Sequence, residues 1–183
     1  MILTGKEDLR VQKTVTAIRT AFEELLCEKD YEKITVTELS QRARINKKTF
    51  YAYYTDLNDV LTEMQQEISE AYIERTKGLR RIEDAAQITR TFFTFSAEQG
   101  LAYEKITCGG SYVLNHIRSQ MMKNVTNARL PEPTLKEQMI VAFMQSATLE
   151  LYKFWVTGGK QIPLEEIINT TISLICKGID GMR

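Results

Sequence analysis

An all-helical chain is the fold class this sequence predicts, on three observations. Apolar residues recur at steps of three and four along most of the 183 positions. Proline occurs three times and β-branched runs are short, while Leu, Ile, Glu, Lys and Ala are spread throughout, a composition that favours helix over strand. Glycines and prolines punctuate the periodic stretches.

The first helix is expected from about Asp8 to Lys29, with Val11, Val15, Ile18, Phe22, Leu25 and Leu26 along one face. Thr35 is a natural N-cap for a short second helix at about 36–43, and Glu38 stands at capping-box spacing from it. Residues 44–46 form a turn, and Asn46 caps a third helix starting at Lys47. Asp56 caps a long fourth helix that carries Val60, Leu61, Met64 and Ile68 and ends near Gly78. Further helices are expected at about 83–98, 103–107, 111–126 and 134–157, broken at Gly100, Gly109-Gly110, Pro131/Pro133 and Gly158-Gly159. The last starts near Pro163, suited to a first turn, and runs to about Ile179 on an isoleucine-rich face. This divides the chain into a three-helix unit, residues 1–56, and a larger helical body, residues 57–183.

Two short helices joined by a three-residue turn make a helix-turn-helix, whose second helix enters the DNA major groove. The formal net charge of +0 gives no general attraction to nucleic acid, so local charge must supply it. From Leu39 to Thr55 the sequence holds Arg42, Arg44, Lys47 and Lys48 and no acidic residue. A cationic helix start with free backbone N–H groups suits phosphate. Candidate DNA contacts are Thr35, Thr37, Arg44, Asn46, Lys47, Lys48 and Tyr51, with Thr49 and Tyr53 placed for base edges or thymine methyls. Phe50 and Tyr54 fall at inward positions.

The stretch Ile34–Leu61, ITVTELSQRARINKKTFYAYYTDLNDVL, resembles the DNA-binding domain of the tetracycline-repressor (TetR) family. The match rests on Thr35-Val36, Leu39-Ser40, Ala43, Ile45-Asn46-Lys47, Thr49-Phe50-Tyr51 and the closing Tyr54. It is specific over about residues 10–61 and architectural beyond them, where Trp155 to Gly158 end one helix and Glu165-Glu166 open the last. The resemblance implies a homodimeric all-helical regulator, usually a repressor, that binds double-stranded DNA and often takes a small effector in its C-terminal body. Three positions depart from the family pattern: Arg44 and Lys48 stand where glycine is usual, and Leu57 where lysine is common. A left-handed backbone at Arg44 would cost roughly 1–2 kcal/mol.

The expected body is as large as a whole domain, which leaves room for dimerisation and effector binding. The helix at 134–157 is apolar on more than one face, so it can serve a core and a partner copy together. Phe92, Phe95, Tyr103, Tyr112, His116, Met121, Phe143 and Tyr152 are candidates to line a ligand pocket, although aromatic residues also fill ordinary cores.

Other classes are disfavoured. G-x-S-x-G, Walker, G-x-G-x-x-G and H-E-x-x-H patterns are missing, so no enzyme, catalytic residue or cofactor is expected. Three separated cysteines and one histidine lack zinc or disulfide spacing, which predicts no metal and a reducing, cytoplasmic setting. The opening MILTGKEDLR has no continuous apolar run, so neither a leader nor a membrane span is expected. The alternative is a TetR-like protein-interaction module without specific DNA reading.

Overall fold

The computed structural model describes residues 8–80, 82–109 and 134–178. Among these residues the regular elements are all helical: α1 (Leu9–Glu28), α2 (Val36–Arg42), α3 (Lys47–Tyr51), α4 (Leu57–Arg75), α5 (Ala85–Glu98), α6 (Gly100–Cys108), α7 (Leu135–Thr157) and α8 (Leu164–Lys177), with one 3-10 turn at Tyr31–Lys33. The helix expected at about 111–126, with Tyr112, His116 and Met121, lies outside the described residues, as do Pro131, Pro133 and Ile179.

Side-chain caps start most of these helices. Asp8 accepts from the Arg10 N–H at 2.7 Å, and Asp56 accepts from the Asp59 N–H at 3.0 Å. Asp59 in turn accepts from the Thr55 N–H at 2.7 Å, which fixes the chain's entry into α4. The capping box expected at α2 is only half formed. Thr35 accepts from the Glu38 N–H at 3.2 Å, but the Glu38 carboxylate turns away to the Lys29 ammonium at 2.5 Å. The complete reciprocal box stands at α7, between Thr134 and Glu137.

Among the described residues two apolar cores organise the fold. The first joins Val15, Ile18, Phe22 and Leu25 of α1 to Leu39, Phe50, Tyr54, Val60 and Leu61. Burying each such side chain stabilises the fold by roughly 1.5–3 kcal/mol. The second gathers Phe93, Tyr152, Trp155, Ile167 and Ile168 from α5, α7 and α8. Helix α6 is shared between them: Ile106 belongs to the first core, whereas Tyr103 and Cys108 pack on the second.

Ion pairs lock the packing. Both Arg19 guanidinium nitrogens reach the Glu67 carboxylate, tying α1 to α4. Arg90 on α5 binds Glu165 at 2.7 Å and Asn169 at 3.0 Å, tying α5 to α8. No described helix is long and apolar enough to cross a membrane. Among the described residues no group of His, Cys, Asp and Glu is placed to hold a metal ion.

Candidate nucleic-acid interface

The α2–α3 corner is built by its backbone. The Arg44 N–H donates to the Gln41 carbonyl at 3.1 Å, and the Ile45 N–H donates to the Ser40 carbonyl at 2.9 Å. That pair of bonds is a Schellman ending, which needs a left-handed residue just after the helix. Arg44 is that residue, with φ 55°. Glycine would adopt this conformation without strain, so Arg44→Gly should relieve roughly 1–2 kcal/mol, offset by glycine's entropic cost of roughly 0.5–1 kcal/mol. Thermal melting of the variant should therefore move up slightly, while its affinity for duplex DNA falls if the Arg44 guanidinium meets phosphate.

Helix α3 is short. It has five, Lys47–Tyr51, or about 7.5 Å of axis at 1.5 Å per residue. So short a helix is unstable alone and depends on its packing. Phe50 is 0% exposed and Tyr54 is 2% exposed, and both are anchored in the first core. Burial, then the nearby Glu63 charge, pushes the Tyr54 phenol well above its ordinary pKa.

With that side anchored, the opposite side is open. Thr35, Thr37, Arg44, Asn46, Lys47, Lys48 and Tyr51 are exposed, and Thr49 and Tyr53 are half-buried. Tyr51 is 57% exposed while its ring rests edge-on against Phe50, 5.4 Å between centroids. Asn46 accepts from the Thr49 N–H at 2.7 Å and from the Thr49 hydroxyl at 3.0 Å. The structure thus brings the nine residues singled out in the sequence to one corner, α2 through α3.

The charge of that corner differs from the sequence count in one respect. Arg42 does not belong to the open patch. Its guanidinium binds Glu28 of α1 at 2.7 and 2.8 Å and Glu24 at 3.3 Å. Those hydrogen bonds, Glu28's first, raise its pKa further and pull the Glu28 carboxyl below its usual range. Arg44, Lys47 and Lys48 form no ion pair with a described residue, so three cations remain for a ligand.

The aromatic candidates of the body divide. Phe92, Phe95, Tyr103 and Tyr152 lie close together: Phe92 and Tyr152 are edge to face at 5.7 Å, Tyr103 and Tyr152 at 6.5 Å, and Tyr72 bridges Phe92 to Phe95. Tyr152 is fully buried, its hydroxyl donating to the Ser96 carbonyl at 3.3 Å. Phe143 stands apart, 61% exposed on α7. An open cleft of about 690 Å³ lies elsewhere, between α1, α4 and α6, bordered by Glu23, Cys27, Ile68 and Leu101, and among the described residues Tyr103 is the single aromatic candidate that reaches it.

Comparison with known proteins places this architecture. The transcriptional regulator FadR from Bacillus subtilis, in complex with stearoyl-CoA, superposes with a TM-score of 0.70 at 18% identity, over 90% of this chain and 98% of that one. A TetR transcriptional regulator from Streptococcus agalactiae 2603V superposes with a TM-score of 0.63 at 23% identity, over 91% of this chain and 95% of that one. The chain has the TetR-family fold. No family model matches its sequence. An HTH-type transcriptional regulator of Bacillus subtilis (strain 168), YxbF, is 37% identical over 60 residues, which is 32% of this chain and 16% of that protein's length.

Within the TetR fold, the three departures from the family pattern find physical settings. Arg44 keeps the left-handed turn without glycine. Lys48 adds an exposed charge to α3. Leu57 packs half-buried against the first core at the start of α4, where the exposed neighbours are Asp56, Asn58 and Asp59. The TetR-like corner therefore concentrates its cations on the turn and on α3 instead of the α4 terminus.

Proposed function

We propose that this chain is a DNA-binding transcriptional regulator that acts as a repressor in the cytoplasm. It reads a palindromic operator as a homodimer, with residues 1–56 as reading head and residues 57–183 as dimerisation and effector body. The observation that carries the reading is the open cationic edge of Arg44, Lys47 and Lys48, held outward because Phe50 and Tyr54 are sunk in the core behind it. The lysines and the N–H groups opening α3 suit phosphates, while Thr49 and Tyr53 suit base edges.

Dimerisation is supported by α7. Leu135, Met139, Phe143 and Phe154 are 74%, 66%, 61% and 70% exposed, and their spacing puts them on one stripe. Such a stripe on a helix paired with α8 suits a four-helix interface about a two-fold axis. Phe143→Glu should convert the dimer to monomer in sedimentation, because a carboxylate there would be buried without a partner. An effector is supported by the FadR relative, whose structure holds stearoyl-CoA. The residues proposed to line its site are Phe92, Phe95, Tyr103, Tyr112, His116 and Tyr152; Phe143, expected among them from the sequence, is exposed on α7 and is assigned to the dimer stripe instead.

Selection of bound duplexes from a random pool tests the reading. The expected product is a palindrome with half-sites about one helical turn apart, or a multiple of it. An unselected pool, or binding indifferent to salt, would favour the protein-interaction module instead.

A further inference from the structure

Helix α6 carries both cores on nine residues, Gly100–Cys108. Ile106 and Ala102 face the head against α1, and Tyr103 and Cys108 face the body. Apolar contact is non-directional, so apart from the hydrogen bond between the Tyr103 and Ser96 hydroxyls at 3.1 Å these faces bury α6 without strictly fixing its turn about its own axis. Glu104 lies two residues before Ile106, hence on nearly the opposite side of the helix. Its side chain is 11% exposed and meets the Lys160 ammonium at 2.5 Å.

Lys160 is itself held firmly. It sits in the loop between α7 and α8 with φ 54°, a conformation that non-glycine residues seldom adopt. Its N–H donates to the Trp155 carbonyl at 2.9 Å, and the Trp155 indole N–H donates to the Ile162 carbonyl at 2.9 Å. The ammonium also lies 5.6 Å from the centre of the Trp155 ring. A rigid loop thus presents one cation to one largely buried carboxylate, and a charge-assisted hydrogen bond has the direction that apolar packing lacks.

We infer that the Lys160–Glu104 pair is a positioning strut that sets α6, and through it the reading head, relative to the α7–α8 hairpin. Its consequence for DNA rests on the proposed function. If α7 and α8 join two copies, the strut sets how far apart the two heads stand. Coupling of this kind travels through packed elements with defined register.

Distances test the strut without DNA. Spin labels are placed at Gln41→Cys on α2 and Gln87→Cys on α5, with Cys27, Cys108 and Cys176 changed to serine. Labelled chains are diluted with unlabelled ones so that each pair reports within one protomer. The parent should give one narrow distribution. Lys160→Met should broaden it, Glu104→Gln should broaden it less, and Lys160→Arg should keep the parental form. An unchanged distribution in both Lys160→Met and Glu104→Gln overturns the strut.

Binding supplies the second reading, on full-length protein with native cysteines. Lys160→Met should bind the full palindrome about tenfold more weakly, with affinity for a single half-site unaltered. Equal losses on both duplexes would mark a damaged head and overturn the inference. A parent that binds no duplex removes the proposed function, while the distance measurement still decides the strut.

Discussion

Changing both Lys47 and Lys48 to alanine should weaken binding of every duplex alike, by roughly 50-fold at 0.1 M salt. The size follows from counterion release. Each phosphate neutralised adds about 0.9 to the slope of log affinity against log salt, so two contacts are worth nearly two decades between 1 M and 0.1 M salt. The slope itself should fall by about 2 in the double variant. Both side chains are exposed and without an ion pair among the described residues, so their removal leaves no buried charge and little change in stability. Thr49→Ala is the contrasting variant: its salt slope should match the parent while the preferred sequence changes. Titrations of matched and scrambled duplexes at several salt concentrations separate the two. Unaltered affinity of the double lysine variant would remove α3 from the interface.

Phe50→Ala should cost about 3–5 kcal/mol, the usual loss for a large aromatic deleted from a packed core. Phe50 is the one residue of α3 that is buried, and its ring packs 5.8 Å from that of Tyr54. Without it a five-residue helix has no apolar anchor, and local propensity cannot replace one. Melting should drop by on the order of 10 °C, and duplex binding should vanish. The second core does not include Phe50, so amides of α5, α7 and α8 should stay protected from hydrogen exchange while those of residues 36–54 open first. Uniform loss of protection over the whole chain would mean that head and body unfold as one unit.

Local chemistry made much of the head legible from the sequence. Asn46 and Asp56 cap the helices they were expected to cap, and Val15, Ile18, Phe22 and Leu25 are buried at their helical spacing. Arg44, standing where the family usually has glycine, takes the left-handed conformation. What sequence spacing hid was tertiary pairing. Arg42 reads as part of a basic run, but α1 brings Glu24 and Glu28 to it from 18 and 14 residues away. Glu38 reads as half of a capping box, but Lys29 lies closer. Likewise Phe143 matches Phe92 in chemistry, yet one faces outward on α7 and the other packs on Tyr152, a difference that only the packing of helices decides.

The Asn46–Thr49 bond has a consequence for how bases would be read. The Thr49 hydroxyl donates to the Asn46 side-chain oxygen, so what the side chain has left to offer a ligand is a methyl group and oxygen lone pairs. Such a surface can receive a proton-bearing group and touch a hydrocarbon one. It therefore suits the exocyclic amines of adenine and cytosine and the methyl of thymine, and it has nothing to offer guanine's major-groove edge, which carries acceptors alone.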